Sequence, residues 1–180
     1  MTTRKITITV CSICFLIALF SQCKKKDAAR VTNTCNNIIV LPTADSTAFA
    51  LPTAFTPNGD GVNDIYYPIA PYPNKISNYS LSIYNASTNA LEFQTNSVTT
   101  RWDGTVNGTV TTVYKHQVHV SFTDANGVAV DTCSFLFLVP VSSAGCINPI
   151  PADTASYIFP DEMNFLTGVK IGGTNERYCN

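Results

Sequence analysis

Charge is scarce in this sequence: 13% of its 180 residues are Asp, Glu, Lys or Arg, against 45% hydrophobic. Beyond Val31 the basic residues shrink to Lys75, Arg101, Lys115, Lys170 and Arg177, facing eleven acidic ones. The resulting net charge near −6 excludes the basic stripe on which nucleic-acid binding depends. Histidine is almost missing as well. His116 and His119 are the only two, and three positions apart on a strand they face opposite sides, which excludes a shared metal site. His116 reads as a residue at the core edge and His119 as a surface residue. No serine stands in a nucleophile elbow, no glycine loop precedes a helix, and no carboxylate pair suits acid–base work. These gaps point to a non-catalytic protein without a nucleic-acid partner. Past residue 20 there is also no apolar run long enough to cross a bilayer as a helix.

What the chain does contain is concentrated in Pro52 to Asp64, P-T-A-F-T-P-N-G-D-G-V-N-D. Asn58, Asp60, the carbonyl of Val62 and Asp64 fall at alternate positions. That spacing lets a tight loop direct successive oxygens at one hard cation, and it makes calcium the candidate cofactor. Gly59 and Gly61 supply the backbone freedom for such a loop. The other reading is that the Asn and Asp side chains bond their own backbone in consecutive turns, without an ion. With two charges and no bidentate Glu, an ion held here would bind weakly, on the order of 10⁻⁴ to 10⁻³ M.

The run Ala54 to Asp64 resembles the opening of the gliding motility-associated C-terminal domain, the type B sorting domain of type IX secretion. Members continue with a strand ending in Asn, then Trp-Asp-Gly, then a Val-Tyr strand before a last hairpin. Here Ser80 to Asn85, Trp102-Asp103-Gly104 and Val113-Tyr114 follow in that order. The resemblance covers roughly Pro52 to Val139. It departs at Asn85-Ala86-Ser87, where the family continues with Arg, an aromatic and Gly, and about forty residues follow the matching part.

Residues 1–22 read as an export signal, with Arg4 and Lys5 ahead of an apolar run from Ile6 to Phe20. Phe20-Ser21-Gln22-Cys23 is similar to a bacterial lipobox, which implies diacylglycerol on the Cys23 sulfur, cleavage before it, and acylation of the new amine. At about 0.8 kcal/mol per buried methylene, several chains anchor a protein permanently. An ordinary secretory signal cut near the same place, leaving Cys23 a free thiol, is the alternative. Lys24, Lys25 and Lys26 open a stretch to residue 34 without apolar periodicity, a flexible tether. Asp45-Ser46-Thr47 and Asp153-Thr154-Ala155 resemble an O-glycosylation acceptor motif of exported proteins.

From Ile38 to Val139 the hydrophobic period is two, punctuated by turns. Ile38 to Leu41 and Ala48 to Phe55 suit edge strands because Pro42 and Pro52 cannot donate to a ladder. Tyr79, Leu81 and Ile83 share one face, and Leu91 and Phe93 open a partner strand. Asn107-Gly108 is a two-residue hairpin turn, and Asp124 to Gly127 turns a second hairpin between Val113–Thr123 and Val128–Val139. On its first arm Tyr114, His116, Val118, Val120 and Phe122 point one way. The second arm is apolar on both faces, with Cys133, Phe135, Phe137 and Val139 opposite Leu136 and Leu138. A strand covered on both faces needs a further layer, and the tail carries Tyr157, Ile158, Phe159, Phe165 and Leu166 to provide it. Trp102 reads as a core plug, and Asp103 as a turn residue or as one more ligand to the Asn58–Asp64 loop. Tyr66, Tyr67, Pro68, Tyr72 and Pro73 read as loop packing or as a platform for a sugar.

The fold expected is an all-β, immunoglobulin-like sandwich of about seven strands over residues 35–140, with a disulfide-bearing extension over 141–180 packed on it. Residues 1–22 form the signal and 23–34 the lipidated tether. Four cysteines remain after export and lipidation, Cys35, Cys133, Cys146 and Cys179, and they admit three pairings. In such a sandwich the first strand runs beside and parallel to the last, which pairs Cys35 with Cys133 and leaves Cys146 with Cys179. The latter bridge stabilises by roughly 3 to 4 kcal/mol in the chain-entropy model and would pin the tail over Leu136 and Leu138.

Together these readings describe an outer-membrane lipoprotein on the periplasmic or cell-surface side. It acts as a binding or scaffolding module for an envelope protein or polysaccharide. A type IX sorting module and a carbohydrate-binding module are the alternatives; a sorting signal ends its chain behind a large cargo, and a sugar binder exposes its tyrosine-rich loop. Cys23→Ala should leave the protein soluble or unprocessed. Metabolic fatty-acid labelling checks this, and label retained by the variant would remove the lipid assignment.

Overall fold

The computed structural model describes residues 35, 40–42, 48–141, 145–147 and 157–179. The export signal, Cys23, the tether and both acceptor-like motifs lie outside the described residues. Among the described residues no helix is long and apolar enough to cross a membrane.

Among the described residues nine strands follow in order: β1 Val40–Pro42, β2 Ala48–Ala50, β3 Ala54–Phe55, β4 Ser77–Asn85, β5 Leu91–Thr95, β6 Thr105–Val106, β7 Thr109–Val110, β8 Lys115–Thr123 and β9 Ala129–Leu138. The main sheet has the order β3-β9-β8-β4-β5. Its pairs are antiparallel except β3 with β9, which run parallel with Ala54 opposite Phe137 and Phe55 opposite Leu138. The facing layer is assembled from short pieces: the β1–β2 and β6–β7 hairpins and the bridges Ala50–Ile69 and Tyr66–Trp102. The chain is thus all-β and sandwich-like, with one continuous sheet and one fragmentary layer. Prolines explain part of the fragmentation. Pro52 falls between β2 and β3, where a strand residue would have to donate.

Turn chemistry sets the hairpin registers. Asn107 and Gly108 adopt φ of 53° and 80°, the left-handed pair that a two-residue hairpin requires. In the β8–β9 turn, Asp124 Oδ1 accepts from the N–H groups of Asn126 at 2.9 Å and Val128 at 2.8 Å. With that turn closed, His116, Val118, Val120 and Phe122 all point inward along β8. Tyr114 does not join them. It precedes β8, is exposed, and meets Phe137 of the outer face with rings tilted at 5.5 Å.

The core between the layers gathers Phe49, Leu51, Phe55, Tyr66 and Trp102 against Tyr79, Leu81, Ile83, Val118, Val120, Phe122, Leu136 and Leu138. This placement corrects the sequence reading of β9. Leu136 and Leu138 face the sandwich core, so they have no need of the tail. The tail residues Tyr157 and Phe159 instead pack with Ile147 against Ala54, Phe137 and Val139, forming a second cluster on the other face. Ile158 turns to Ala50, Ile69 and Met163. Phe165 and Leu166 cover nothing and are exposed. Two disulfides tie these parts together, Cys35–Cys133 with a Cα separation of 4.7 Å and Cys146–Cys179 with one of 5.1 Å.

His116 sits deeper than a core-edge residue. It is fully buried, its ring meets Trp102 edge-on at 5.1 Å, and Nε2 lies 2.8 Å from Glu92 Oε2 of the neighbouring edge of the sheet. Burial pushes the imidazole below its ordinary value, and Glu92 only partly offsets this. Because the folded state then resists a proton that the unfolded chain accepts, stability present above about pH 6.5 is lost as the pH falls through the lowered value. Denaturant titrations from pH 7.5 to 5 should show a loss of up to about 1.4 kcal/mol per pH unit from this group. His116→Gln should flatten that slope, and an unchanged slope would detach it from His116.

Candidate functional site

The loop after β3 closes through its own hydrogen bonds. Asp64 Oδ1 accepts from the N–H groups of Asn58 at 2.9 Å and Gly59 at 2.5 Å, and Oδ2 from that of Gly61 at 2.6 Å. Asp60 accepts from the Val62 N–H at 2.8 Å and from Asn58 Nδ2 at 2.9 Å. Asn58 Oδ1 accepts from the Asp60 N–H at 3.1 Å, and Thr56 Oγ1 lies 3.3 Å from the Val62 carbonyl. The three side chains spaced for a cation, Asn58, Asp60 and Asp64, therefore already have donors. Gly59, Gly61 and Asn63 take φ of 79°, 91° and 49°, which turns three successive corners. No atom lies within 4 Å of where a Cβ would sit at either glycine, so glycine is there for its dihedrals and not for lack of space.

The Trp-Asp-Gly turn packs under this loop. Phe55 is buried 5.4 Å from Trp102 and 6.0 Å from Tyr66, ring centre to ring centre. A Cβ on Gly104 would stand 3.1 Å from Pro57 and 3.2 Å from Phe55, and Gly104 has φ of 78°. Trp102 is thus the core plug. Asp103 serves the turn: its Oδ1 accepts from Thr105 Oγ1 at 2.7 Å and from the Thr105 N–H at 2.9 Å. Those bonds hold its carboxyl below the usual range.

The inner side of the loop meets the tail through groups that sequence reasoning did not single out. Thr56 Oγ1 donates to Glu176 Oε1, and Asn63 Nδ2 lies 3.2 Å from the same oxygen and 3.1 Å from Thr174 Oγ1. The Asp161 N–H donates to Asn63 Oδ1 at 3.0 Å. Asp161 Oδ2 in turn accepts from the Asn175 N–H at 2.7 Å and from Thr174 Oγ1 at 3.2 Å. Burial raises the Glu176 carboxyl, the Thr56 and Asn63 bonds lower it, and Asp60 and Asp161 add repulsion. Ile147 pairs in parallel with Tyr178 beside the Cys146–Cys179 bridge, which fixes the end of this clamp. No local periodicity marks Asp161, Thr174 or Glu176, because their loop partners Thr56 and Asn63 lie about a hundred positions away.

A cleft of about 380 Å³ opens beside the clamp, lined by Val62, Asp64, Tyr67, Arg101 and Asp161 among others. Arg101 lies over the Tyr67 ring at 4.4 Å. Of the tyrosines considered for a sugar platform, Tyr66 is buried and Tyr72 is exposed with Lys75 over its ring at 5.0 Å. Elsewhere among the described residues, Cys35, His119 and Cys133 bring possible ligand atoms within 4.8 Å of one another, but the two sulfurs are bonded to each other. His116 and His119 do face opposite sides of β8.

Residues 49–130 match the model of a family described as the CHU_C type IX secretion signal domain. No curated protein and no solved structure matches the chain. The matched segment runs from β2 to the start of β9 and contains both the self-bonded loop and the Trp-Asp-Gly turn.

Asp64→Ala removes the acceptor for three backbone N–H groups and should cost about 1 to 3 kcal/mol. If the loop side chains serve only their own N–H groups, melting curves of the parent protein in millimolar calcium and in chelator coincide. A calcium-dependent rise in melting temperature that Asp60→Ala abolishes would show instead that they are free for an ion.

Proposed function

With residues 49–130 matching the type IX secretion signal domain family, we propose that this chain is an exported, lipid-anchored envelope protein whose sandwich is a non-catalytic binding or scaffolding module. A family of secretion signal domains supports an exported or cell-envelope setting and a role tied to type IX secretion. The lipobox-like Phe20-Ser21-Gln22-Cys23 supports an outer-membrane anchor, and its partners on this reading are envelope proteins or polysaccharides.

The observation that carries the binding-module reading over a sorting one is the clamp. The inner side of the signature loop, where Thr56 and Asn63 would meet another protein, is taken by Glu176, Thr174 and Asp161 of the same chain. A domain whose characteristic loop is held by its own disulfide-fastened tail behaves as a finished unit, and its partner must bind elsewhere on the sandwich. The sorting reading requires that the same loop be available to the secretion apparatus.

A secreted reporter joined ahead of residues 35–180, expressed in cells with a type IX apparatus, separates the two. It should stay inside the outer membrane and resist protease added to intact cells. Delivery of the reporter to the surface would make the segment a sorting signal and overturn the module reading.

A further inference from the structure

The tail hairpin from Met163 to Ile171 presents its large apolar side chains to solvent. Phe165 is 56% exposed, Leu166 64%, Val169 54% and Ile171 65%. Turn tips are ordinarily polar, and an apolar one on a folded domain marks a contact surface. Five N–H groups of this tip, those of Asn164 and Leu166 to Val169, are also bonded from within. Asn164 Oδ1 accepts from the N–H groups of Leu166 at 2.8 Å and Thr167 at 3.1 Å, and the Asn164 carbonyl from that of Gly168 at 2.7 Å. The Val169 N–H reaches Thr167 Oγ1 at 3.4 Å, and the Asn164 N–H closes the hairpin on the Val169 carbonyl at 2.9 Å. A protein partner does not demand this, since it can offer its own donors and acceptors. A bilayer interface favours it, because each N–H left unbonded toward hydrocarbon costs several kcal/mol.

Charge distribution agrees. Lys170 is the only ionisable residue between Met163 and Ile171. It stands at the base of the hairpin, 3.0 Å from Glu162, where a cation meets headgroups while the apolar tip goes deeper. The base is firm: Met163 is buried with Ala50, Ile69 and Ile158, and the Ile171 N–H bonds the Glu162 carbonyl at 2.8 Å. A membrane is also within reach. The twelve residues from Cys23 to Cys35 span up to about 40 Å when extended, comparable with the width of a domain this size.

We propose that the 163–171 hairpin is a membrane-docking tip. On this assignment Phe165 and Leu166 enter the interface of the bilayer that holds the lipid anchor, and the sandwich sits on that membrane in one orientation. The proposal rests on the lipid-anchor reading for its membrane. The class of ligand is a phospholipid surface, zwitterionic or anionic, since the tip carries no negative charge.

The test uses the mature, lipid-anchored protein carrying Phe165→Trp, reconstituted in phosphatidylcholine vesicles with brominated acyl chains. Trp102, the one native tryptophan, is buried and supplies the unquenched reference in the parent protein. Emission from position 165 should be strongly quenched relative to that reference. Adding Leu166→Asp should lower the insertion constant of the tip by about tenfold or more and restore the emission. Both side chains are exposed, so neither change should disturb folding. Flotation of the same vesicles reads the anchor separately, through Cys23→Ala. Protein that floats but shows no quenching at position 165 would overturn the tip assignment while leaving the anchor intact. So would an unquenched position 165 that crosslinks to an envelope protein, which would make the tip a protein contact.

Discussion

Everything around the signature loop depends on one close approach, that of Gly104 to Phe55 and Pro57. A single methyl group added at Gly104 would press into both rings at 3.1 to 3.2 Å. Because glycine stands there, Phe55 drops into the core beside Trp102, and the Tyr66–Trp102 backbone bridge closes over it. Trp102 in turn meets Phe93 at 6.1 Å and the buried His116 at 5.1 Å, so the aromatic contacts run from the loop to the far edge of the main sheet. The two motifs that stand some forty positions apart are one packing unit, which is why both occur within a single family segment.

The loop is consequently rigid at its base and self-bonded at its tip, and only its inner side has polar groups left to offer. The tail takes them. Asn63 serves both sides of the junction, as a corner of the loop and as a partner of Asp161, Thr174 and Glu176. A buried carboxylate without a cationic partner is costly, and the raised value of Glu176 reflects that cost. The Cys146–Cys179 bridge and the apolar cluster around Phe137 and Phe159 offset it by holding the tail in place. A tail fastened by covalent, apolar and polar contacts at once also gives the 163–171 hairpin a firm base from which to project.

The sequence by itself determined the parts governed by short-range chemistry. Alternation places His116, Val118, Val120 and Phe122 inward on β8, the Asn107-Gly108 pair dictates a tight hairpin, and the Asn58–Asp64 spacing yields a loop of successive turns. For that loop, two readings of the same residues were open at the level of the sequence. The hydrogen bonds engage its oxygens with neighbouring N–H groups, since Asp64 can reach three of them only once Gly59 and Gly61 have turned the chain back.

Tertiary structure alone decided which face of β9 the tail covers, because a strand apolar on both sides carries no mark of which side meets the sandwich. It set Leu136 and Leu138 inward and gave Phe137 and Val139 to the tail. It also left Tyr114, Phe165 and Leu166 exposed, and it joined Thr56 and Asn63 to residues about a hundred positions away. Hydrophobicity says that a side chain gains from burial, but which surface buries it depends on the packing of segments distant in the chain.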